Sequence, residues 1–114
     1  MTPSEIKKLT PAQRATRRIV ELFNDHLFYI DYHSGNATST GRTDRYRVLC
    51  VNVNTDVPCI ADITKQMALA TGSRYSEKTQ TINITGFGYN KKDHLKDLLV
   101  NIAFKNEEYV KFCN

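Results

Sequence analysis

Residues 81–94 read Thr81-Ile82-Asn83-Ile84-Thr85-Gly86-Phe87-Gly88-Tyr89-Asn90-Lys91-Lys92-Asp93-His94. Ile82 and Ile84 fall on one face of an extended chain, and Thr81, Asn83 and Thr85 fall on the other. Gly86 and Gly88 permit positive φ, so the backbone can turn sharply after the strand. Asn90 has the short polar side chain that caps a helix, and Asp93 suits the positive end of one. Leu95, Leu98, Leu99 and Ile102 then recur at helical spacing. The stretch predicts a strand, a corner and an amphipathic helix.

The same corner is a candidate anion site. Free amides at a helix start, with Gly86, Gly88, Asn90, Lys91 and Lys92 around them, could hold a phosphate, a carboxylate or a nucleotide. The alternative is a plain strand-to-helix turn. The spacing matches neither the phosphate-binding loop Gly-x-x-x-x-Gly-Lys-Ser/Thr nor the three-glycine dinucleotide fingerprint.

Thr10-Pro11-Ala12-Gln13 forms a capping box with proline at the first helical position. The helix it opens places Ala12, Ala15, Ile19, Leu22, Phe23 and His26 on one face. Tyr29 to Tyr32 turns aromatic and β-branched, predicting a strand from Phe28. Residues 33–45 are rich in turn formers without apolar periodicity and are expected to form a mobile loop. Tyr46 to Val53 is the strongest strand, and its centre, Val48 to Val51, is apolar on both faces, as a middle strand would be.

Asp56 is the expected cap of a second helix through Ile60, Ile63, Met67 and Ala70, closed by Gly72. Residues 1–9 are expected to be a flexible arm. Residues 107–114 read as a tail able to dock or to add an edge strand. The expectation is one α+β domain over residues 1–114 in the order α-β-β-α-β-α. Its sheet is three-stranded, mainly antiparallel and packed by helices.

The chain has 114 residues, 40% hydrophobic and 25% charged, an ordinary balance for a single globular domain. No apolar run has the length of a membrane span, and no signal peptide is legible, so a host cytosol is expected. Cys50, Cys59 and Cys113 have neither disulfide-framework nor zinc spacing. The matches to the glycosylation pattern at Asn36 and Asn83 consequently lack a secretory context. The net charge is +4, and residues 1–18 hold all of it in Lys7, Lys8, Arg14, Arg17 and Arg18 against Glu5 alone.

This basic helix start either meets an acidic surface or polyanion or is simply solvated. A partner-binding set of Lys7, Lys8, Arg14, Arg17, Arg18, Arg42, Arg45, Arg47 and Tyr75 follows. Its partner is a protein, a nucleoprotein complex or nucleic acid, with no membrane. His26, His33 and His94 are scattered, and no nucleophile sits beside a base. No catalytic residue, cofactor or metal site is expected.

Ile82 to Lys91, followed by an amphipathic helix, resembles a pattern of small phage and mobile-element proteins: an apolar strand, Gly-x-Gly-Tyr-Asp/Asn-Lys and a helix. Asn90 stands where aspartate is the commoner residue. The resemblance covers about a quarter of the chain. It implies a stoichiometric inhibitor of host machinery, of the anti-CRISPR or other anti-defence kind.

Overall fold

The computed structural model describes residues 8–86 and 90–113. Among the described residues, three helices and a mixed sheet of six strands form a small α+β body. In chain order the elements are α1 (Pro11–Leu22), β1 (His26–Thr38), β2 (Gly41–Asn52), β3 (Ile60–Asp62) and α2 (Thr64–Thr71). They continue with β4 (Tyr75–Ser76), β5 (Thr81–Gly86), α3 (Lys91–Lys105) and β6 (Lys111–Phe112). The expected order matches in part: β3 and β4 are added within it and β6 after the last helix, so the sheet has six strands where three were expected. Among the described residues no helix is long and apolar enough to cross a membrane.

The helix ends obey local chemistry. Thr10 Oγ1 accepts from the Gln13 amide at 3.1 Å, and Gln13 Oε1 accepts from the Thr10 amide at 2.9 Å, completing the capping box. Asn90 Oδ1 accepts from the amides of Lys92 and Asp93 at the start of α3. Gly72 closes α2 with φ of +71°, where a side chain would be strained.

Residues 33–45 are not a loop. β1 and β2 pair antiparallel from His26–Asn52 out to Thr38–Gly41, and only Ser39 and Thr40 turn between them. Polar, threonine-rich sequence can form such a ribbon because the backbone ladder holds it without an apolar face. A register shift between Tyr32 and Ser34 marks a bulge. The first helix ends at Leu22, so His26 opens β1 instead of lying on the helix face, with its Nδ1 2.6 Å from Asp25 Oδ1.

Ile60 belongs to β3, not to a helix, and Asp62 rather than Asp56 serves the start of α2. Its Oδ1 accepts from the Thr64 amide and hydroxyl at 2.9 and 2.6 Å. The spacing of Ile60 and Ile63 is too short a pattern to separate helix from strand.

The sheet order is β4-β5-β2-β1-β6, with β3 also on β2, so β2 is central as expected. The tail adds β6 parallel to the start of β1, which makes the sheet mixed. All three helices pack on one face. From the sheet, Phe28, Ile30, Tyr46, Val48, Cys50 and Ile82 enter the core. Ile19, Met67, Leu95 and Leu99 meet them from the helix layer.

Candidate functional site

Side chains alternate across a strand, and directly paired residues share a face. Because Phe28 and its partner Cys50 point into the core, the flanking residues of β1, β2 and β3 point away from the helices. That open face carries a row of Leu27, Val51 and Ile60, then a row of Tyr29, Leu49 and Asp62. Asp31 with Arg47, Arg45 with Asn83, and Thr43 with Thr85 continue it along β2. Apolar side chains thus occupy one end and polar and basic ones the other.

Ile60 is 61% exposed, and Val53 and Val57 in the following loop are exposed as well. Leu49 is buried although it lies outside the core cluster. Arg47 Nη2 donates to Asp31 Oδ2 at 2.7 Å and its Nε has no hydrogen-bond partner. Arg45 makes no ion pair among the described residues. Uncovered apolar surface rimmed by charge is what a protein-binding face presents.

The structure does not gather the expected basic set on one surface. Arg14, Arg17 and Arg18 lie on α1 in the helix layer. Arg14 donates to the Leu9 carbonyl, and Arg17 Nε sits 3.8 Å from Glu21. Lys8 is exposed beside them, and Lys7 lies outside the described residues. Arg45 and Arg47 are on the open sheet face instead. Arg42 turns to the core side, where Nε donates to Asp44 at 2.9 Å and Nη2 to the Tyr32 hydroxyl at 3.2 Å. Tyr75 is half-buried in β4 and its hydroxyl pKa is raised, chiefly by burial.

Two residues of the expected anion corner, Asn90 and Lys91, have partners within the chain. Lys91 is 5% exposed and donates from Nζ to Asp44 Oδ2 and to the Arg42 carbonyl, each at 2.7 Å. At the start of α3, Asn90 Oδ1 takes the Lys92 and Asp93 amides. Lys92 is exposed, Gly86 ends β5 with φ of +156°, and Gly88 lies outside the described residues. Burial alone would raise the pKa of Asp44. Hydrogen bonds and charge from Lys91 and Arg42 outweigh it and hold the carboxyl below its ordinary value.

Gly35 makes room for this cluster, since a Cβ there would run into Asp44 Oδ1 and the Tyr32 hydroxyl. Gly35→Ala is expected to lower stability by about 2 kcal/mol, read from urea unfolding; an unchanged midpoint would show that the cluster relaxes freely.

Burial pushes the Cys50 thiol up to about 11, leaving it protonated at neutral pH. Among the described residues no three His, Cys, Asp or Glu side chains gather as metal ligands. Sequence reasoning missed Leu27, Leu49, Val51 and Ile60 as members of a binding face. The one signal is the run Val48 to Val51, apolar on both faces, which the sequence assigns to a middle strand.

Comparison with protein-family models, curated proteins and solved structures found no match to this chain.

Proposed function

We propose that this chain is a non-enzymatic interaction protein that binds a partner protein through its open sheet face. The observation that carries the reading is the apolar end of that face, where exposed Ile60 stands in one row with half-buried Leu27 and Val51. The basic rim beyond it, with Arg45 in no ion pair among the described residues, favours a partner surface that is apolar at its centre and acidic at one side. Such a partner would be recognised by shape and charge, with no chemistry performed on it. The inhibitory role and mobile-element origin implied by residues 82–91 belong to the same proposal. Host proteins that handle nucleic acid or serve defence are therefore the first partners to seek.

The test is capture from nuclease-treated host lysate on three immobilised chains: wild type, Ile60→Glu and Arg14→Glu/Arg18→Glu. One protein retained in near-stoichiometric amount by the wild type and the helix variant, but not by Ile60→Glu, supports the reading. The affinity loss expected for Ile60→Glu is about thirtyfold or more. A partner held equally by Ile60→Glu, or lost only with the helix variant, moves the interface to α1. Recovery of nucleic acid alone from untreated lysate overturns the protein-binding reading.

A further inference from the structure

We infer that a second copy of this chain docks on the C-terminal half of α3 and the tail, with Phe104 of each copy seated in the groove of the other. α3 has two apolar stripes. Leu95, Leu99 and Ala103 face the core and are fully buried, whereas Val100 and Phe104, one turn apart, are out of phase with them. Phe104 is 80% exposed, and Tyr109, which follows the helix, is 86% exposed. No other large hydrophobic side chain described is as exposed as these two. Burying them would recover hydrophobic free energy that the single chain forgoes.

The occupant follows from the shape of the patch. Between α3 and the tail lies a groove of about 570 Å³, lined by Val100, Ala103, Phe104, Tyr109 and Val110 and edged by Glu107 and Glu108. The projecting ring and the hollow that could take such a ring therefore stand side by side on one surface. A two-fold axis needs that self-complementarity, because each residue of the patch must meet the same patch on its partner.

Charge agrees. Lys105 and Glu107 flank the patch, and neither they nor Glu108 have an ion pair among the described residues. Across a two-fold axis the lysine of one copy meets the acidic pair of the other. The contact lies in the helix layer, so pairing there leaves both open sheet faces uncovered. The dimer would then present two copies of that face at once, a bivalent arrangement that raises avidity for a repeated partner.

Sedimentation velocity of the full chain, from low micromolar to near-millimolar concentration, tests this. The wild type is expected to pass from monomer to dimer. Phe104→Glu should raise the dissociation constant at least about thirtyfold, with its circular dichroism and unfolding midpoint unchanged because the residue is exposed. Ile60→Glu, on the other face, should dimerise as the wild type does, so failure here is distinguishable from failure of the sheet-face reading.

A mixture of Lys105→Glu with Glu107→Lys/Glu108→Lys should form heterodimers more tightly than either variant self-associates. That readout does not depend on Phe104→Glu remaining folded. A wild type that stays monomeric throughout, a dimer indifferent to Phe104→Glu, or a charge-reversed mixture that does not pair overturns the inference.

Discussion

Lys91→Met is expected to destabilise the domain by about 3 kcal/mol, the usual consequence of leaving half of a buried ion pair alone. The ammonium and the Asp44 carboxylate are 2.7 Å apart, with side chains 5% and 10% exposed. Taking the carboxylate out of water is tolerated because Lys91 and Arg42 both donate to it. Without Lys91 the desolvation penalty remains and one of the two charges that offset it is gone. The double variant Asp44→Leu/Lys91→Met should recover most of the loss, because apolar replacement of a buried pair is often near neutral. A single-variant loss below about 1 kcal/mol would mean that water or Arg42 alone satisfies Asp44.

The pair also sets a pH dependence with a defined sign. Asp44 has a folded-state pKa below its unfolded value, so its stabilisation is complete above about pH 4. It is lost as pH falls through the folded-state pKa. Urea midpoints of the wild type should therefore decline below about pH 4, and the double variant, lacking the carboxylate, should decline less. Equal declines would assign the acid sensitivity to other carboxylates.

Phe28→Ala is expected to cost about 4 kcal/mol, within the range for emptying an aromatic core site. Phe28 is fully buried, tilts against Phe23 with ring centroids 5.3 Å apart, and pairs with Phe112 of the tail strand. Its carbonyl also accepts from the Cys113 amide at 2.8 Å. The substitution should loosen the tail before the rest of the domain, which hydrogen exchange at Phe112 and Cys113 would register. Unaltered protection there, together with a loss below about 2 kcal/mol, would show that the cavity collapses and that β6 is held by other contacts.

The candidate face was only partly legible. The apolar run Val48 to Val51 marks a central strand, yet a middle position in a sheet covers its edges, not its faces. Whether both faces are covered depends on where the helices pack. They pack on one side, so Leu27, Val51 and Ile60 are left on the other. The basic residues illustrate the same limit: Arg42 and Arg47 look free in the sequence, but their carboxylate partners Asp44 and Asp31 are set by strand orientation and register.

The helix ends at Thr10, Gly72 and Asn90 are written in local sequence. So is the phase of the buried stripe of α3, because these rest on hydrogen bonds and periodicities within a few residues. Only the tertiary structure decided that residues 33–45 form a paired ribbon and that Ile60 joins a strand. Lys91 bends inward for the same kind of reason: its partner Asp44 stands 47 residues away, brought near by the pairing of β5 with β2. Interactions of that separation are chosen by the packing of whole elements, so no local pattern announces them.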